Sequence, residues 1–138
     1  MDKKATIPDA YSNPFGELIG LHFESWGDGE SRCALEVTPQ MMNPIGVLHG
    51  AVAYALADTG MGGALVSALS VDRICTTVEI KISYFRAVSS GRLACESRVV
   101  YQGQSVAFLE ATVLHDQTPV ARASGTYAIR EARQPSGA

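Results

Sequence analysis

Apolar and polar residues alternate along most of this chain. In residues 74–85, Val78, Ile80, Ile82 and Tyr84 fall on one face, while Thr77, Glu79, Lys81 and Ser83 fall on the other. That period of two predicts a half-buried strand. Residues 92–101 repeat it, with Leu93, Cys95, Val99 and Tyr101 set against Arg92, Glu96 and Arg98. In residues 31–37, Cys33, Leu35 and Val37 oppose Arg32, Ala34 and Glu36. Strands are also predicted over 20–26, 105–114 and 120–130, with turns at the Gly-, Ser-, Asp- and Pro-bearing segments 27–29, 89–91, 102–104 and 116–119. Residues 9–19 suggest a short helix, with Asn13 as its cap and Pro14 in its first turn. Residues 39–48 form an unusually apolar loop, and the tail, 131–138, is polar and expected to fray.

One stretch breaks the alternation. From His49 to Val71 the chain is rich in Ala, Gly and Leu, and Asp58 is its only charged residue. This predicts a helix over about 49–70 that is apolar on all sides, hence buried. Strands joined by short turns pair as antiparallel neighbours. The simplest arrangement is an α+β fold, an antiparallel five- to six-stranded sheet wrapped around one long central helix, as a single domain over 1–138. One small sheet leaves part of such a helix uncovered, so a second subunit is expected on the open side.

Composition narrows the function. The chain is 46% hydrophobic and 18% charged, with a net charge of −3 and no basic run. Clustered Lys and Arg, which nucleic acid would require, are absent, so no nucleic-acid partner is expected. Cys33, Cys75 and Cys95 show no metal-ligand spacing and read as structural thiols in a reducing cytoplasm. No metal is expected. No apolar core follows the charged residues of Met1–Lys4, so no secretory signal is expected. The apolar stretch is long enough to span a bilayer, but weakly hydrophobic Ala and Gly and a mid-stretch Asp58 argue against a membrane role.

The chemistry centres on that helix. A carboxylate among apolar residues is costly unless paired or used, which makes Asp58 a candidate base. His49-Gly50 opens the helix, where unpaired N–H groups and the helix dipole suit a carbonyl oxygen gaining charge. His49 fits a capping role equally well. Nine residues separate His49 from Asp58, about half a turn out of phase and roughly 13 Å of rise. One helix does not bring both to one reacting group. If they cooperate, Asp58 of one subunit faces the helix start of another.

The pattern Asn43-x-x-Gly46-x-x-His49-Gly50, followed by Leu56-Ala57-Asp58 and a run of small residues, resembles the hotdog-fold acyl-CoA thioesterases, most closely the phenylacetate-pathway (PaaI-like) group. The resemblance covers about residues 14–130. Where that group carries His-Gly-Gly, this chain has Ala51 third, which keeps its N–H and implies a narrower pocket.

The resemblance implies hydrolysis of a small, medium-chain or aryl acyl-CoA to free acid and CoA. Asp58 would activate water or attack the thioester directly. The Gly50 N–H would polarise the carbonyl, and His49 would orient that region. Asn43 would position water or thioester. Thr77 matches a Ser or Thr beside the carboxylate, and reads equally as an ordinary strand residue. CoA would lie near Tyr84, Arg86 and Ser89 and near Gly103, Gln104 and Ser105, with Arg86 as a phosphate contact or simply a solvated charge. Met41, Met42 and Tyr54 would touch the acyl group or belong to the core. No cofactor is implied beyond CoA within the substrate. The implied assembly is a homodimer with shared sites, extending to a homotetramer. Two alternatives stay open at this point: a non-catalytic acyl-CoA or fatty-acid binding protein, and a hotdog-fold dehydratase or hydratase.

Overall fold

A computed structural model describes residues 13–132. A short helix, α1 (Pro14–Leu18), is followed by the hairpin β1 (His22–Gly27) and β2 (Glu30–Glu36). A single 3-10 turn (Pro39–Met41) and a loop lead into the long helix α2 (Gly50–Ala68). Four strands complete the chain: β3 (Arg73–Tyr84), β4 (Arg92–Gln102), β5 (Val106–His115) and β6 (Thr118–Glu131). All neighbours pair antiparallel in one sheet of order β1-β2-β4-β5-β6-β3. The chain therefore leaves β2, crosses by α2, and lays β3 on the opposite edge. The expectation of a sheet around one helix holds, with six strands.

The boundaries differ where local chemistry decides them. Asn13 caps α1 through a bond from the Gly16 N–H to its side-chain oxygen. Residues 9–12 of the predicted helix lie outside the described residues. β1 starts at His22 because Gly20 sits at φ +72 in a turn. Asp116 and Gln117 both have positive φ, which makes a two-residue hairpin turn. β6 consequently begins at Thr118, earlier than predicted. Pro119 is accommodated at a register shift opposite Val113 and Leu114, where a missing N–H costs the ladder least.

The core lies between α2 and the sheet. Leu56, Met61 and Leu65 are fully buried, each contributing about 1.5–3 kcal/mol in apolar transfer. Close approach requires small residues on the helix. A Cβ at Gly60 would lie 2.7 Å from Ser97 Oγ and 3.2 Å from Cys33 Sγ. Beneath the helix, Ser31 Oγ donates to the Gly60 carbonyl at 2.6 Å. Cys33 and Cys95 are buried thiols paired across β2 and β4. The outer face of the sheet is charged instead, with Arg32 bonded to Glu24 and Glu96, and Arg98 to Glu110.

The helix is not covered all round. Ala51 and Tyr54 are exposed, and Ala55, Asp58, Gly62 and Val66 are half-buried. Their three- and four-residue spacing makes one open stripe. It runs beside β3, an edge strand paired only with β6. Among the described residues, no helix is long and apolar enough to cross a membrane.

β3 carries the clearest departure from the expected alternation. A register shift between Thr77 and Glu79 leaves Val78 as an extra residue, 63% exposed. Such a bulge reverses which residues face inward. Thr77 therefore shares the helix-facing side with Ile80, Ile82 and Tyr84, rather than lying opposite them. Ile80 and Ile82 pack against the core, while Thr77 and Tyr84 bond to α2.

Candidate active site

The start of α2 is built by three residues. His49 is the N-cap, with φ −63 and ψ 132, and its Nδ1 accepts the Ala51 N–H at 2.9 Å. That bond puts the proton of the neutral ring on Nε2. The Val52 N–H is taken by the His49 carbonyl at 3.0 Å. Tyr84 donates its hydroxyl to the Gly50 carbonyl at 2.6 Å. The peptide joining Gly50 to Ala51 is thus gripped at both ends. The N–H of Gly50 has no acceptor among the described residues. A side chain at Gly50 would crowd this grip, since a Cβ would lie 3.0 Å from the Tyr84 ring.

The loop before the helix is organised by Asn43. Its side-chain oxygen accepts the N–H groups of Ile45 at 3.0 Å and Val47 at 3.2 Å. Its own N–H donates to the Val47 carbonyl, and Gly46 turns the chain at φ +85. The loop is tied down where the His49 N–H reaches the Met41 carbonyl and the Leu48 N–H reaches that of Val88.

Two turns along the helix stands Asp58. Thr77 Oγ1 donates to its Oδ1 at 2.8 Å, and the Tyr127 hydroxyl donates to the same atom at 2.9 Å. The carboxylate is therefore held by neutral hydroxyls rather than by a cation. Burial first, then the Asp58 charge, raise the Tyr127 hydroxyl well above its ordinary pKa. The same two causes push the Cys75 thiol up to about 11. Both stay protonated near neutrality.

Other anticipated positions are divided. Tyr84, Arg86 and Ser89 lie at one end of β3, beside the helix start. Gly103, Gln104 and Ser105 lie at the other end, where the Gln104 carbonyl accepts from Arg73 and the Ser105 carbonyl from the Ile129 N–H. Along β3 the two ends are about 36 Å apart, so one protomer does not bring the two groups together. Eight residues of helix also keep Gly50 about 12 Å from Asp58. Tyr54 is exposed on the stripe between them, whereas Met41 packs against the core.

Tyr127 is the contact that reading along the chain missed. Its signal lies in β6, where Ala121, Ala123 and Gly125 precede it on the inward face. Three small residues make room for a ring, and a buried phenol needs a partner. Among the described residues, no three of His, Cys, Asp and Glu gather as a metal site would require.

A six-stranded antiparallel sheet around one helix, with a carboxylate at mid-helix, is the hotdog architecture. The sequence profile of the thioesterase superfamily matches residues 45–121. The fold is similar to a conserved protein of Pseudomonas aeruginosa, at 36% identity over 86% of this chain and 95% of that one, with a TM-score of 0.83. A mutant of the phenylacetic acid degradation protein PaaI from Thermus thermophilus superposes with a TM-score of 0.78, at 26% identity over 84% and 98% of the two chains. By sequence, the 1,4-dihydroxy-2-naphthoyl-CoA hydrolase of Listeria monocytogenes is 26% identical over 70% of this chain and 79% of its own. Matched relatives are spanned over 65% to 88% of their own length. The chain belongs to the thioesterase superfamily, and its class of reaction is thioester hydrolysis.

Proposed function

We propose that this protein hydrolyses an acyl-CoA thioester to free acid and CoA, at two sites shared across a homodimer. The carrying observation is the matched spacing of α2 and β3. Gly50 touches Tyr84, and Asp58 touches Thr77. Thr77 and Tyr84 pair with Tyr127 and Ala121 of β6, and Lys81, paired with Ser124, lies midway. If two copies join their free β3 edges around a two-fold axis at Lys81, Asp58 of one lies level with the partner's Gly50. The same operation brings residues 103–105 of one copy towards residues 84–89 of the other. Two groups separated in one protomer thus become one CoA-binding edge. The open stripe of α2 and the exposed Val78, Tyr84 and Phe85 supply the apolar surface such a contact would bury.

In this reading the Gly50 N–H, at the positive end of the helix, binds the thioester oxygen as it gains charge. Asp58 takes a proton from attacking water and returns it to the departing sulfur, or attacks the carbon itself to form a mixed anhydride that water then hydrolyses, the thiolate taking its proton from that water; CoA leaves as the thiol in either case. Tyr54 lies where the acyl group would pass. His49 and Asn43 act on the frame, the first by capping Ala51 and the second by shaping the loop. Neither metal nor organic cofactor is needed, because a carboxylate and a helix start suffice. The CoA-hydrolase name of the Listeria relative supports the substrate class, and three free thiols suit the cytoplasm. Assembly into a homotetramer would add a further contact without changing this site.

A panel of short, medium-chain and aryl acyl-CoAs, assayed for thiol release, tests the activity. Saturable turnover on at least one is expected, and no turnover on any would end this reading. The dimer has its own check. Lys81→Cys is expected to form a disulfide-linked dimer under mild oxidation, since it would sit on the axis. Persistence as a monomer in sedimentation would rule the shared site out.

A further inference from the structure

We infer that Tyr127 is a positioning residue for the reaction: its hydroxyl, with that of Thr77, occupies one carboxylate oxygen of Asp58, so that the other oxygen, Oδ2, is the one that acts. The inference rests on the thioesterase reading above and adds to it which atom works and what aims it.

An aspartate has a broad, soft torsion at its carboxylate. On an open helix stripe nothing would hold it at one angle. Here the two hydroxyls approach Oδ1 from two different strands, at 2.8 Å from β3 and 2.9 Å from β6. The Tyr127 hydroxyl also lies 3.1 Å from the Asp58 main-chain carbonyl oxygen. It therefore fixes the side chain relative to its own backbone. No described residue donates to Oδ2.

The two donors are not equivalent. Thr77 stands on the edge strand and is exposed, whereas Tyr127 is 1% exposed. Its ring is wedged in place. A Cβ at Gly125 would lie 2.8 Å from Tyr127 Cε2 and 3.1 Å from Met61 Cε. The glycine lets the ring lie against the sheet, and Met61 closes the space beside it. A clamped ring carrying a hydroxyl that stays protonated makes a fixed donor, and a fixed donor is what preorganises a carboxylate.

The test compares Tyr127→Phe, Gly125→Ala and Asp58→Asn with the wild type. Tyr127→Phe keeps the ring and removes one bond to a charged group, so kcat is expected to fall about tenfold while KM stays within about twofold. Gly125→Ala keeps the hydroxyl but displaces the ring, and should lower kcat in the same direction. If Tyr127→Phe folds and keeps kcat within twofold, the inference is overturned. It is also overturned if the loss appears in KM alone, which would mean a role in binding or packing. Should Tyr127→Phe not fold, Gly125→Ala decides: unchanged kcat in the folded variant refutes the role. Asp58→Asn separates the two levels. If it remains as active as wild type, the reading of the site fails. If it is inactive while Tyr127→Phe matches wild type, the site stands and this inference falls.

Discussion

Replacing Asp58 by asparagine is expected to lower kcat for acyl-CoA hydrolysis by about three orders of magnitude, with the fold intact. Asparagine matches the shape of aspartate, and its carbonyl oxygen can still accept from Thr77 and Tyr127. What it loses is the charge that takes a proton or attacks a carbonyl. Alanine is the poorer test. It would strip the Oδ1 acceptor from a hydroxyl that is almost fully buried, leaving it only the main-chain carbonyl at 3.1 Å, and the loss of a buried hydrogen bond costs about 1 kcal/mol by itself. A loss of activity in Asp58→Ala would then mix chemistry with stability. The measurement is steady-state kinetics on the best acyl-CoA of the panel, alongside thermal unfolding. An asparagine variant within tenfold of wild type would remove Asp58 from the mechanism, as base and as nucleophile alike.

The second large effect is expected at the other end of the helix. Gly50→Pro should be about a hundredfold slower than Gly50→Ala, the typical effect of removing one donor to a developing oxyanion. The comparison works because of where Gly50 sits. It is the first helical residue, the position where proline fits without breaking a helical bond. The residue before it, His49, already has the extended conformation a following proline demands. Both variants add a Cβ against the Tyr84 ring, 3.0 Å away, so that crowding cancels between them. What differs is the N–H.

The same variant tests sharing. Asp58→Asn and Gly50→Pro homodimers should each be inactive. In a mixed dimer with shared sites, one site carries both changes and the other carries neither. Equal mixing with free exchange should therefore return about a quarter of wild-type activity. No recovery after demonstrated subunit exchange would place both groups in one protomer's site, which their separation along α2 opposes.

Much of this was legible along the chain. The helix from Gly50 to Ala68 could be read from a run with one charge in it, because an apolar helix needs no more than its composition to announce burial. The strands followed from their alternation. The His-Gly and Asp pair was visible because helix geometry alone sets its spacing. Folding gives other residues partners that no stretch of the chain announces. His49 was read as capping or orienting, and its ring is bonded to the Ala51 N–H. Asn43 spends its side-chain oxygen on its own loop. Tyr84, anticipated along the CoA, has its hydroxyl on Gly50.

What the sequence by itself determined is therefore the set of elements and the helix that carries Asp58 and Gly50, since these follow from local periodicity and from bonds between residues a few positions apart. Only the tertiary structure decided which side chains meet that helix. The bulge at Val78 turns Thr77 toward α2, at the one point where β3 shifts register against β6 among eleven paired positions. Tyr127 reaches Asp58 across 69 residues of chain. A bulge changes which face of the sheet a side chain takes, and a contact at that separation depends on the order of every strand between. Neither quantity is carried by any short window of residues, so the partners of Asp58 emerge only once the whole sheet has closed around α2.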